Sequence, residues 1–190
     1  ILGWGHRRNL AYVDDLKSIY SELKHEKLRY QNLVENVPSI VYRCKDDKDW
    51  TMLFINGACK LITGYSAEEV INNQQISFNE LIHAEDREYV ITQVHQTLKP
   101  KNQYELIFRI INKNGNTHWV LERGKHFIGE NGEHYLEGVI TDITQLKEVE
   151  IELQVLNDDL DNKVKERTSD LESLNEILSK QTSELKHSLV

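Results

Sequence analysis

Between residues 9 and 36 apolar positions recur on a 3–4 spacing, with no Gly or Pro to interrupt them. Tyr12, Leu16, Ile19, Leu23, Tyr30 and Leu33 fall at heptad positions and only Glu26 breaks the stripe, which predicts a helix. So narrow a stripe suits a two-helix seam; an amphipathic helix lying on its own domain is the alternative. Pro38 closes the segment, because the residue before a proline is pushed out of the helical region. The runs 39–44 and 50–55 are short and apolar and predict strands on either side of a polar turn at 45–49. Short helices are predicted over 56–63 and 66–71, with Gly64 as the stop between them and Ser66 with Glu69 in capping-box spacing. A polar loop at 72–77, a single turn at 78–82 and a helix over 86–98, ended by Pro100, follow.

Residues 104–111, 117–128 and 135–143 are rich in β-branched and aromatic side chains and predict a three-strand meander. Asn114-Gly115 and Asn131-Gly132 offer the φ > 0 pairs that tight hairpins use. Leu106, Phe108 and Ile110 oppose Ile107 and Ile111, and Trp119 and Leu121 oppose Val120, so both faces of the meander need cover. Two strands, several short helices and three strands predict an α+β fold: a five-stranded antiparallel sheet with helices on one face. The flanking helices or a second subunit are the material available for the other face.

Asp142 and Gln145 have capping-box spacing, so the last strand should run straight into a helix. Residues 146–190 contain no Gly or Pro and would form a rod of about 65 Å. Apolar residues step along Leu146, Val149, Leu153, Leu156 and Leu160, then by a second four to Val164, and resume through Leu171, Leu174, Leu178 and Leu185. Two successive fours are a stutter, and Arg167 and Gln181 take seam positions. A parallel homodimer is expected, with Leu16, Ile19, Leu23, Leu153, Leu156, Leu160, Val164, Leu171, Leu174 and Leu178 in its seams. The chain divides into a stub at 1–8, a helix at 9–36, a compact domain at 37–145 and a rod at 146–190.

Composition narrows the function classes. The chain has 190 residues and a net charge of −8, with no basic stripe to neutralise phosphates, so nucleic acid is not an expected partner. Cys44 and Cys59 lack metal-ligand spacing and suit a reducing, cytoplasmic compartment without disulfides. The only methionine is Met52, so the chain is expected to be a piece of a longer protein. Ile1 to Gly5 followed by His6, Arg7 and Arg8 has the order of a stub below a membrane span, so an inner-membrane-anchored parent is one reading; a plain helix lead-in is the other.

Residues 33–147 resemble the PAS domain family, in the subgroup with the PAC half. The resemblance is carried by Asn36-Val37-Pro38, Ile55-Asn56, Leu61 through Ser66 with Glu68-Glu69, and Ile82 through Arg87, where the family commonly has proline in place of Ala84. Arg109-Ile110, Asn114-Gly115, Trp119-Val120, Gly138 and Asp142-Ile143-Thr144 complete it. The run from Val164 to Leu171, with Asn175 and Leu178, is similar to the linker helix after PAS domains in sensor histidine kinases and diguanylate cyclases. The resemblance implies a sensory module with no catalytic residues of its own. Asp142, Ile143 and Thr144 would relay a signal from sheet to rod, and on to an output domain in the same chain. A ligand-free dimerisation and spacer module is the alternative.

No nucleotide-binding motif or cyclase signature occurs, and His187 lacks the acidic neighbour and proline of a phosphoacceptor setting. The family's usual small-molecule pocket would draw on Tyr42, Phe54, Ile62 and Phe108, with Arg109 and Trp119 as its polar and amphipathic members; the same residues fill the core in members without ligand. Arg109 could equally pair with Glu105 or Glu122. Flavin-binding relatives carry a reactive Cys where residues 72–77 have none, so flavin chemistry is not implied. Haem-binding relatives place a His on the helix before the meander, and His95 is its counterpart. The bound cofactor, if any, stays open. His118 and His126 share strand parity but stand more than about 20 Å apart along a strand, so no metal is expected from that pair.

Overall fold

The computed structural model describes residues 3–96, 103–130 and 132–188, with side chains for residue 13 and for those from 15 to 183 within these spans. Helix α1 (Gly3–Glu35) starts six residues ahead of the expected start at 9 and takes in most of the proposed stub. The side chains of residues 3–12, among them Trp4 and Tyr12, lie outside the described ones, as do residues 1 and 2. Among the described residues, no helix is long and apolar enough to cross a membrane.

After Pro38 come β1 (Ile40–Lys45) and β2 (Met52–Ile55), then α2 (Ala58–Thr63), α3 (Ala67–Val70), α4 (Phe78–Leu81) and α5 (Arg87–Gln96). Gly64 ends α2 at φ 78°, donating its N–H to the Lys60 carbonyl, as an αL stop requires. The Ser66 N–H donates to Glu69 Oε2 at 2.6 Å, the expected box on α3. A second box, Ser77 with Glu80, starts α4 in a place the polarity of 72–77 marks only as loop. The expected end of α5 near Leu98 and Pro100 lies outside the described residues.

Strands β3 (Gln103–Ile111), β4 (Thr117–Ile128) and β5 (His134–Asp142) complete an antiparallel sheet of order β2-β1-β5-β4-β3. The first hairpin departs from a pair of positive-φ residues. Only Gly115 is left-handed, at φ 84°, and Asn112 Oδ1 accepts the N–H groups of Asn114 and Asn116 instead. That is a turn closed by a glycine bulge and an Asn side chain. Asn131 of the second lies outside the described residues, whereas Gly132 is left-handed at φ 77°.

Strand alternation puts Ile40, Tyr42, Leu106, Phe108, Ile110, Val120, Leu136 and Ile140 on one face, buried beneath the helices with Ile62, Val70, Phe78, Leu81 and Val90. Phe54, Ile107 and Val139 stay exposed on the other. Asn56, fully buried, joins the end of α1 to this sheet. Its Nδ2 donates to the Val34 and Ser39 carbonyls at 2.9 and 3.1 Å, and its Oδ1 accepts the Val41 N–H at 3.0 Å.

Residues from Thr144 onward form a second unit, the single helix α6 (Thr144–Ser188). Leu153, Leu156, Leu160, Val164, Leu171, Leu174 and Leu178 are all at least half exposed along it. Leu185 and His187 have no described side chains.

Candidate functional site

Among the described residues, the interior holds one carboxylate where alternation calls for an apolar residue. Glu122 lies at the inward parity of β4 between Val120 and Gly124, and only 6% of it is exposed. Tyr42 from β1 and Tyr104 from β3 reach it from either side. Tyr104 Oη is 3.1 Å from Glu122 Oε1, Tyr42 Oη is also hydrogen-bonded to that oxygen, and the two hydroxyls are 2.8 Å apart. Three oxygens thus make three mutual contacts. An ionised Glu122 leaves two protons to serve them; a protonated one supplies the third and closes the ring.

Burial pushes the Glu122 carboxyl up to about 7, against the opposing pull of the two tyrosine hydroxyls. The same burial, with the Glu122 charge next, raises Tyr42 and Tyr104 well above the ordinary phenol range. Two glycines make room for the rings. Gly124 and Gly138 face each other across β4 and β5, and a Cβ on Gly124 would run into the Tyr104 ring and its hydroxyl. On Gly138 it would meet the Arg123 carbonyl oxygen at 2.6 Å and the Tyr42 ring at 2.9 Å.

Tyr42, Tyr104 and Glu122 border an internal cavity of about 20 Å³ with Cys44, Trp50 and Phe78. That is room for a water-sized molecule, whereas cofactor sites run to roughly 300–1,000 Å³. Trp50 adds an unusual feature: it sits at φ 51°, and its buried indole N–H has no hydrogen-bond partner. A bulky residue in the left-handed region is a strained conformation. Cys44 and Cys59 are free and buried, and burial raises both thiols, which leaves them unreactive.

Of the seven side chains expected around a pocket, Tyr42 alone borders this cavity. Ile62 and Phe108 are buried in the apolar core beside it. Phe54 is a correction. The ladder between β1 and β2 slips between Arg43 and Cys44, so Phe54 pairs with Arg43 and faces outward, into a cleft with Leu23, Tyr30 and Val34 of α1. Arg109 and Trp119 also lie outside, as a cross-strand pair with the guanidinium 5.7 Å from the indole. Arg109 pairs with neither Glu105 nor Glu122. Its Nε and Nη2 donate to Asp86 at 3.0 and 2.6 Å, and Nη2 also to Glu85 at 2.9 Å. Those bonds hold the Asp86 carboxyl below its usual range. Glu105 is taken by Arg123 at 2.5 Å. His95 points away from the interior: its ring is half exposed and its Nε2 lies 3.3 Å from Asp46 Oδ1.

The junction residues occupy the end of β5 and the start of α6. Asp142 Oδ2 is 2.9 Å from His118 Nδ1, and the Ile143 N–H donates to the Trp119 carbonyl at 2.9 Å. β4 therefore holds the last two residues before the helix, one through a side-chain contact and one through a backbone bond.

Residues 52–140 match the family described as PAS fold. The chain contains a PAS domain. Its curated relatives include the blue-light-activated histidine kinases of Brucella ovis and Brucella melitensis, 26% identical over 131 residues, 66% of this chain and 26% of theirs. The chain thus spans about a quarter of the length of these relatives. Among solved structures, the PAS domain resembles a sensory box histidine kinase/response regulator from Burkholderia thailandensis at 25% identity and TM-score 0.54, covering 70% of this chain and 97% of that one. A PAS domain of an HTR-like protein from Haloarcula marismortui shares the fold at 24% identity and TM-score 0.55, covering 67% and 99%. This PAS domain is homologous to the sensor regions of histidine kinases and is a regulatory module.

Proposed function

We propose that this chain is the sensory segment of a signalling protein, that it works as a parallel homodimer, and that it relays a change in the PAS sheet through α6 to an output domain in the same polypeptide. The observation that carries this is the direct passage of β5 into a 45-residue helix with an exposed aliphatic seam. An isolated helix with such a stripe leaves it in water, and a second copy in parallel register covers it. The relatives named as histidine kinases support a kinase output. Blue-light activation is a property of those relatives; in this chain the cavity beside Tyr42 and Glu122 is about 20 Å³, well below the roughly 300–1,000 Å³ of cofactor sites. Sedimentation equilibrium on the full chain should give a dimer, and Leu156→Glu with Leu160→Glu should shift it to monomer by placing charges in the seam. A monomeric wild type overturns the dimer.

In this reading Asp142, Ile143 and Thr144 are the relay, and the stutter at Leu160 and Val164 is the two-state element. The tight interior also favours a second reading, a constitutive dimerising spacer. Asp142→Ala in a parent protein with its output domain separates the two. The partly exposed contact with His118 that it removes is worth about 1 kcal/mol, yet the substitution should abolish the response. A response that survives sinks the relay, and a wild-type output that never varies leaves the spacer.

A further inference from the structure

We propose that Asp46, His126 and His134 form a binding site for a divalent transition-metal ion of the zinc class, with His95 holding the carboxylate from outside. The site is built by the sheet. Inward parity runs from Tyr42 and Cys44 on to Asp46, from Glu122 and Gly124 on to His126, and from Leu136 back to His134. Three segments therefore bring these side chains to the helix side of one end of the sheet. The backbone fixes them there: the Asp46 N–H donates to the His134 carbonyl at 3.1 Å, and the β4–β5 ladder pairs Ile128 with His134 and His126 with Leu136. The two histidines are thus diagonal neighbours across the hairpin.

One ligand atom from each residue lies within 4.8 Å of the others, and His126 Nε2 is 2.8 Å from His134 Nδ1. Around a tetrahedral zinc ion, with bonds of about 2.0–2.2 Å, ligand atoms stand roughly 3.3–3.5 Å apart. Reaching that spacing takes shifts of the ligand atoms of about 1.5 Å or less. The two imidazoles share one N–H in their contact. Binding moves that proton to the far nitrogen of its own ring, so both rings offer a lone pair without changing charge. Two imidazoles and one carboxylate suit zinc or nickel, and three protein ligands leave a fourth position for water. His95 Nε2, 3.3 Å from Asp46 Oδ1, supplies the outer hydrogen bond that orients a ligating carboxylate.

This assignment rests on side-chain geometry and not on the signalling reading. An ion here would pin the first residue of β5 to the β1–β2 turn and the last turn of α5. Isothermal titration of the metal-free chain with zinc chloride should show one site per chain. His134→Ala and Asp46→Asn should each weaken it about tenfold or more, and His25→Ala, on α1, should leave it unchanged. If His134→Ala fails to fold, imidazole NMR of the wild type decides: the His126 and His134 ring resonances should move with the first equivalent while His25 stays. The absence of a saturable site, or an affinity indifferent to both variants, leaves a plain hydrogen-bonded imidazole pair and overturns the assignment.

Discussion

Raising the pH from about 5 to about 8 should destabilise the wild-type chain by roughly 3 kcal/mol, and Glu122→Gln should remove most of that loss. The folded Glu122 carboxyl titrates at about 7 against an ordinary 4.5, and the roughly two pH units between 5 and that value, at about 1.4 kcal/mol per unit, give that figure. Its sign follows from proton counting. Between these two values the folded chain holds a proton that the unfolded chain has released, so stability falls as pH rises and levels off above about 7. Glutamine keeps the shape, cannot ionise and can serve the same hydroxyls. Other groups differ in window or sign. Asp86 and Glu69, whose carboxyls are held low by Arg109 and by Lys113, matter only at more acidic pH. His126, depressed by burial, adds stability as pH rises, and it does so in both proteins alike. Melting temperatures of both across this range should diverge by on the order of 10 °C at the alkaline end. Parallel curves would refute the buried charge.

Gly138→Ala should cost about 3 kcal/mol, the upper end for overpacking, because its Cβ would meet a backbone oxygen of the neighbouring strand that has no other place to go. Gly124→Ala meets only the Tyr104 ring, which can move. Denaturant midpoints should therefore show Gly124→Ala partly rescued by Tyr104→Leu. Gly138→Ala should not be rescued by Tyr42→Leu. Equal rescue at both positions would mean that the glycines serve only the tyrosines.

Alternation and turn chemistry made most of the fold legible: strand order along the chain, the stop at Gly64, the box at Ser66, and the passage from β5 to a long helix. Periodicity reports which face a residue takes only while the ladder keeps register. The slip beside Arg43 breaks it, and Phe54 came out on the wrong side for that reason. Arg109 was matched to carboxylates on its own sheet, because nothing local marks Asp86, 23 residues earlier, as its partner. Glu122 carried a signal in plain view, a carboxylate at inward parity between a valine and a glycine, and Gly138 opposite a tyrosine was its counterpart. The histidines were measured along one strand, where His118 and His126 are far apart. The close pair lies across the hairpin, and only pairing register reveals it.

Asn56 fixes more than the distance between α1 and the sheet. Its grip on the Val34 carbonyl sets the angular phase at which α1 leaves the domain. Each residue inserted or removed upstream of Val34 turns the far end of the helix by about 100° about its axis. The length of α1 is therefore a dial: seven residues more or fewer nearly restore the orientation of whatever it carries, and three or four residues come within a fraction of a turn. One or two residues face it elsewhere.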